Sequence, residues 1–283
     1  MTTQTRAEAR TVHANGTDIH YLEQGEGETL ILLHGGVVST NPLWTGVPIA
    51  YASHMEALAA RFRVIAPDTR GCGRTPHSEG PMTFDILADD VAALIRSLGL
   101  ERPAVAGFSE GGITATVLGI RHPGAVSAIV NDAGFDAFDP QAPTVAMMRQ
   151  ILGGSPDATE ANPDLAAQQF EESEQMRPLF ELMKRDQDAG QGDGHWRTYL
   201  RLTWQRVTTF PNYTYSDFAS ITAPTLILCG DRDEFCPVEQ AVAAYRPLPD
   251  GELAILPGHG HYIPPAAIEA TIEFLERRAG AGA

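Results

Sequence analysis

Short, continuously apolar runs recur along the chain, each bounded by glycine, proline or polar residues. Thr29–His34 is apolar from Leu30 to Leu33, and Arg63–Pro67, Pro103–Gly107, Val126–Val130, Thr225–Cys229 and Leu253–Leu256 look alike. Runs that are apolar at consecutive rather than alternate positions predict strands covered on both faces, as in a parallel sheet. Ile19–Glu23 predicts one more strand, separated from Thr29–His34 by the turn-rich GEGE. Between these runs the period changes. Asp85–Leu98 places Ile86, Leu87, Val91, Leu94, Ile95 and Leu98 at helical spacing. Gly111–Arg121 and Ala266–Arg278 predict further helices, and the small-residue tail GAGA is expected to fray. Strands alternating with helices predict a mostly parallel sheet wrapped by helices.

The pattern breaks between Asp136 and Phe218. This stretch has no strong strand run, a loop-like GGSPD, several helical patterns, and the aromatics Trp196, Tyr199, Trp204, Phe210, Tyr213 and Tyr215. It predicts a helical insertion over the C-terminal edge of the sheet, where open α/β sheets bind ligands. Packing onto the core is the ordinary use of any one such aromatic. As a group they suggest a roomy, partly apolar pocket, and Trp196, Tyr199 and Trp204 are candidate substrate contacts. The expected organisation is core α/β structure over 1–135, a helical lid over 136–218, and core again over 219–283.

The bulk numbers narrow the functional classes. A length of 283 residues suits one large α/β domain, and a hydrophobic fraction of 43 % supplies a sizeable core. The formal net charge of −16 argues against nucleic acid and against anionic membranes. It keeps a protein dispersed and mildly attracts cations. The three cysteines, Cys72, Cys229 and Cys236, cannot all pair and fit no metal or redox spacing. Cys229 is expected buried in a strand. The polar N-terminus has no signal-peptide pattern, and no apolar run approaches the ~18 residues of a membrane span. A soluble, cytoplasmic protein is expected; oligomeric state is not readable.

Four segments carry chemistry. Gly107-Phe108-Ser109-Glu110-Gly111 lies after a strand and before a helix, the context a G-x-S-x-G nucleophile elbow requires. Glycines flank the serine because a sharp strand-to-helix turn leaves no space for side chains. The following helix points its N-terminal dipole at developing negative charge. His34-Gly35-Gly36-Val37 ends an earlier strand, and a backbone N–H there forms half an oxyanion hole with the amide of Glu110. Gly36 is the chosen donor, with its neighbour Val37 left open; Val37 is also a candidate substrate contact. His34 reads as a structural hydrogen-bonding residue. Asp231 and Asp233, after the strand ending at Cys229, both qualify by composition as the acid that orients a histidine. His259 and His261, after the last strand, both lie where a base belongs. The chain order Ser…Asp…His is that of one fold.

With these motifs in place, the chain resembles the α/β-hydrolase superfamily over nearly its whole length, in its esterase, lactonase and haloperoxidase-like branch. The resemblance rests on His34-Gly35-Gly36, Asp68-Thr69-Arg70-Gly71-Cys72-Gly73-Arg74-Thr75, the elbow, and Gly258-His259-Gly260-His261. It implies a mostly parallel eight-stranded sheet flanked by helices with a helical lid, and assigns the base to His261 and the acid to Asp233. Asp68 and Arg70 belong to a structural loop of that family. Val37 stands where prolyl aminopeptidases carry proline, and Ser109 replaces the aspartate of haloalkane dehalogenases and epoxide hydrolases. The paired Asp231/Asp233 and His259/His261 also raise a metal site, but the serine elbow explains the same residues without one. No cofactor is expected. The implied activity is hydrolysis of a small-molecule carboxylic ester or lactone through an acyl-enzyme on Ser109. The chain also resembles serine esterases that open macrocyclic lactones such as macrolide antibiotics. Carbon–carbon bond hydrolysis, perhydrolysis, or a non-catalytic ligand receptor on this fold are the alternatives.

Overall fold

A computed structural model describes residues 6–77, 79–135, 138–139, 144–209 and 213–280. The start of the predicted insertion at Asp136, Phe210, the first five residues and the last three of the GAGA tail lie outside them. An eight-stranded sheet runs in the order β1-β2-β4-β3-β5-β6-β7-β8. Its strands are β1 (Glu8–Ala14), β2 (Thr17–Gln24), β3 (Thr29–Leu33), β4 (Arg63–Pro67), β5 (Ala104–Phe108), β6 (Ile129–Asp132), β7 (Thr225–Gly230) and β8 (Gly251–Leu256). The pairs β1·β2 and β2·β4 are antiparallel, and every other pair is parallel.

Two strands depart from the sequence reading. β1 lies in the polar N-terminal stretch, where no strand was predicted. It is an edge strand whose face is largely exposed, so nothing forces apolar residues into it. Its overlooked signal is Asn15-Gly16, both with positive φ (47° and 74°), the pair favoured in a two-residue hairpin turn. β6 is displaced towards the C-terminus of the predicted Val126–Val130. Val126 and Ala128 are buried before pairing begins at Ile129, and the strand then runs on into the polar Asn131 and Asp132.

The helices packing the sheet include α1 (Met55–Ala59), α2 (Phe84–Ser97) and α3 (Glu110–Arg121). Then α4 (Thr144–Gly153), α5 (Pro163–Glu172), α6 (Arg177–Gln191) and α7 (His195–Thr208) form one consecutive helical segment between β6 and β7. α8 (Val238–Tyr245) and α9 (Pro265–Gly280) complete the chain. The main core fills both faces of the sheet, around Leu30–Leu33, Val105, Ala106, Ile129, Val130 and Leu226–Leu228. A second apolar cluster joins Trp44, Phe180, Trp196, Tyr199, Leu200 and Trp204 under the helical segment. The three cysteines are free and buried, Cys229 within β7 as expected.

Buried polar contacts fasten α6 to the sheet's loops. Asp186 accepts from Ser39 Oγ (2.6 Å), Trp44 Nε1 (2.6 Å) and Asn41 Nδ2 (2.8 Å). Gln187 Oε1 accepts from the Gly73 N–H at 3.0 Å. Asp68 ties the same loops together, accepting from Thr40 N and Oγ1 (2.8 and 2.7 Å) and from Arg74 N (3.0 Å). Arg70 pairs with Asp90 inside the core at 2.6 Å. The structural role expected of Asp68 and Arg70 matches these contacts.

Backbone packs closely around the turn between β5 and α3. A Cβ on Gly107 would overlap the Gly111 carbonyl, and one on Gly111 would overlap the carbonyls of Leu33 and His34. Gly111→Ala is therefore expected to lose at least ~2 kcal/mol of unfolding free energy, because backbone on both sides must move. A urea melt of the variant beside the parent protein measures it.

Candidate active site

Ser109 caps α3 with φ 52° and ψ −120°, far from the conformation of an ordinary residue. Its N–H donates to the Asp132 carbonyl at 2.8 Å, and its carbonyl accepts from Ile113 N at 3.0 Å. The strained turn leaves the side chain half-buried at the C-terminal edge of the sheet. His261, on the loop after β8, places Nε2 3.1 Å from Ser109 Oγ. Its Nδ1 lies 2.8 Å from Asp233 Oδ2. A carboxylate only accepts, so Nδ1 carries the proton and Nε2 is left to accept from the serine hydroxyl. The His261 ring is held between Phe108 and Phe235, with centroids 4.8 and 4.7 Å away.

The alternatives left open by the sequence separate here. Asp233 Oδ1 accepts from the N–H groups of Phe235 and Cys236, both at 2.9 Å, while Oδ2 faces His261. Asp231 instead accepts from the Gly258 N–H and braces the histidine loop. His259 faces Tyr262, whose hydroxyl is 3.4 Å from Nδ1. His34 accepts the Thr69 N–H on Nε2 at 3.0 Å and has Nδ1 2.7 Å from the Gly35 carbonyl, a loop-fixing arrangement. The two Asp-x-Asp and His-x-His pairs thus do not converge as one donor set. Asp233, Cys236 and His261 do bring ligand-capable atoms within 4.8 Å of one another. The thiol of Cys236 already donates to the Ala133 carbonyl at 3.0 Å.

The Gly36 loop lies against the elbow. A Cβ on Gly35 would meet Phe108 Cδ1 at 3.0 Å, and one on Gly36 would meet Glu110 Oε1 at 2.8 Å. The Val37 N–H donates to Tyr199 Oη at 2.7 Å. That amide is committed, so of the two neighbours Gly36 is the one whose N–H is compatible with an incoming oxygen. The Glu110 N–H lies in the first turn of α3, where helix donors have no internal partner.

The expected substrate contacts fare differently. Trp196 and Trp204 are buried in the helical cluster, Trp196 edge-on to Phe180 at 5.6 Å and beneath the Arg197 guanidinium at 4.2 Å. They pack the helical segment between β6 and β7, as aromatics ordinarily do. Tyr199 is buried against Val37. A cavity of about 570 Å³ opens instead between α6 and the loop at residues 46–49, lined by Val47, Ile49, Leu179, Leu182, Tyr262 and Gln175 among others. None of its described lining residues is charged. Of these, Tyr262 adjoins His261 in sequence. The sequence reading missed this wall because Leu179 and Leu182 look like any buried helical positions. It also missed Arg206, whose guanidinium lies 3.0 Å from Glu110 Oε2 at only 1 % side-chain exposure.

Asp132, at the end of β6, is a second buried carboxyl. Burial, and then the Asp233 carboxylate, push its pKa well above the usual range. A carboxyl raised in the folded state loses native stability as pH rises through the window between its unfolded and folded values. Asp132→Asn is therefore expected to raise the melting temperature at neutral and alkaline pH. The gain should shrink on acidification and vanish near the ordinary carboxylate pKa of ~4. Thermal melts of both proteins across pH 4–9 test the sign.

Comparisons with known proteins agree with the fold. The sequence model of the alpha/beta hydrolase family matches residues 30–274, and the chain belongs to that family. It is 31 % identical over 249 residues to the AB hydrolase superfamily protein YisY of Bacillus subtilis, covering 84 % of this chain and 86 % of that one. It is 26 % identical over 251 residues to a 2-hydroxy-6-oxononadienedioate/2-hydroxy-6-oxononatrienedioate hydrolase of Pseudomonas putida, covering 86 % and 85 %. The enol-lactonase structure from Burkholderia xenovorans LB400 superposes with a TM-score of 0.69 at 20 % identity, over 96 % of this chain and all of that one. Among the described residues no helix is long and apolar enough to cross a membrane.

Proposed function

We propose that this alpha/beta hydrolase cleaves a carboxylic ester or lactone through an acyl-enzyme on Ser109. The reading is carried by the relay from Ser109 Oγ to His261 Nε2 (3.1 Å) and from His261 Nδ1 to Asp233 Oδ2 (2.8 Å). His261 takes the serine proton as Oγ attacks the carbonyl carbon, and Asp233 stabilises the imidazolium that forms. The Gly36 and Glu110 N–H groups receive the oxyanion. His261 returns the proton to the leaving alcohol, then activates water to release the acid. The phenylalanines on either side of His261 and the amides on Asp233 fix these groups in advance, so little reorganisation opposes the reaction.

The helices of 136–218 serve as the cap, and the cavity beneath α6 takes the bulk of the substrate. Its uncharged lining favours a neutral, apolar body over a dicarboxylate. This argues for ester or lactone cleavage over the carbon–carbon cleavage suggested by the name of the Pseudomonas putida relative, a dienedioate hydrolase. A macrocyclic lactone of the macrolide type fits a cavity of about 570 Å³ through its apolar ring. Its amino sugar suits a protein of net charge −16 if left facing solvent.

Ser109→Ala and His261→Ala are each expected to lower kcat on an aryl ester by at least ~10³-fold. Asp233→Asn should lower it by a comparable factor through the wrong histidine tautomer, while Asp231→Asn, which keeps an acceptor for Gly258, should stay within about tenfold. A fluorophosphonate probe should label the parent protein and not Ser109→Ala. Macrolides, aryl esters and a dienedioate incubated in parallel and read by mass spectrometry sort the substrate classes. Ring-intact macrolide after prolonged incubation removes that substrate, and turnover of the dienedioate alone overturns the ester reading.

A further inference from the structure

Tyr199 and Arg206 stand two turns apart on α7 and so share a face of the helix. From the helical segment Tyr199 reaches the backbone of the loop after β3, and Arg206 reaches the side chain of Glu110, the residue after Ser109. Tyr199 Oη accepts the Val37 N–H at 2.7 Å. Val37 has φ 63°, a left-handed conformation that a β-branched residue adopts only when its surroundings enforce it. Arg206 reaches Glu110 Oε2 with Nε at 3.1 Å and Nη2 at 3.0 Å, and Nη2 also donates to Thr203 Oγ1 at 2.9 Å. The Glu110 carboxylate in turn lies over Gly36, with Oε1 2.8 Å from where a Cβ would stand. The guanidinium lies 5.7 Å from the centre of the Tyr199 ring, which joins the two arms.

Stability is a poor explanation for this arrangement. The Arg206 side chain is 1 % exposed, and its Nη1 has no hydrogen-bond partner among the described residues. A desolvated ion pair with an unsatisfied N–H gains little over an apolar pair of the same shape. What it does supply is a fixed place for the Glu110 carboxylate, on the side of the first turn of α3 that faces Gly36.

We infer that Tyr199 and Arg206 are positioning residues for the oxyanion hole, holding the Gly36 and Glu110 N–H groups in register through Val37 and the Glu110 carboxylate. The inference rests on the acyl-enzyme reading above and adds to it the two side chains that set the hole's geometry. Neither touches the reacting atoms. Their effect falls on the transition state, where a misplacement of about 1 Å is enough to lose ~10² in rate.

The test compares the parent protein with Tyr199→Phe and with the double variant Glu110→Gln/Arg206→Met, which removes both charges together and leaves neither stranded. The readouts are kcat and KM on an aryl ester, inhibition by an aryl trifluoromethyl ketone as oxyanion mimic, melting temperature, and fluorophosphonate labelling of Ser109. Each variant is expected to lower kcat about 10- to 100-fold with KM within about threefold, and to weaken the ketone in parallel with kcat. The double variant should melt no lower than the parent protein. Unchanged kcat and ketone affinity, with Ser109 still labelled, overturn the inference and leave the acyl-enzyme reading standing. A rise in KM at constant kcat also overturns it, because it makes the two residues substrate contacts. A parent protein that neither hydrolyses esters nor labels at Ser109 overturns both.

Discussion

Everything at the C-terminal edge of the sheet is arranged around one tight turn. For Ser109 to stand clear of the sheet, β5 must pass into α3 with the serine as the single residue between them, and the serine must take a conformation that ordinary residues avoid. Such strain persists only when the surroundings over-determine it. Here they do. The Ser109 N–H is held by β6 through Asp132, and Gly107, Gly111 and Gly134 admit backbone where a methyl group would collide. Those contacts fix the serine relative to the ends of β6 and of β3, which also carries the Gly36 loop. His261 arrives from beyond β8, and its ring is set by the two phenylalanines and by Asp233.

The helical segment between β6 and β7 is joined to this edge by more than apolar packing. Asp186 and Gln187 of α6 are buried hydrogen-bond hubs for the loops after β3 and β4, and α7 reaches the elbow through Tyr199 and Arg206. Buried polar groups tolerate few alternative geometries, because any displacement leaves a donor or acceptor unpaired. The α6–α7 half of the segment is thereby tied to the sheet. The cavity lies along α6 on the side facing the 46–49 loop, and none of its described lining residues is charged.

The alternation of apolar runs and helical spacing determined the sheet, its largely parallel character and the place of the elbow, because strands buried on both faces must be apolar throughout and glycine must occupy turns that exclude a Cβ. The chain order of Ser109, Asp233 and His261 came with it. The exposed edge strand β1 escaped notice, since one-sided burial leaves a weak pattern and only Asn15-Gly16 marks its turn. The family resemblance assigns Asp233 and His261, but the residues by themselves leave Asp231 or Asp233, His259 or His261, and the amides of Gly36 or Val37 open, and the contacts that distinguish them are tertiary. Each choice depends on a distance to a group remote in the chain, Ser109 for His261 and Tyr199 for Val37. The same holds for Trp196 and Trp204, which pack inside the helices, and for Arg206, which reads as one more helical charge. Periodicity records which face of an element is buried, and it carries no record of the partner that face will meet.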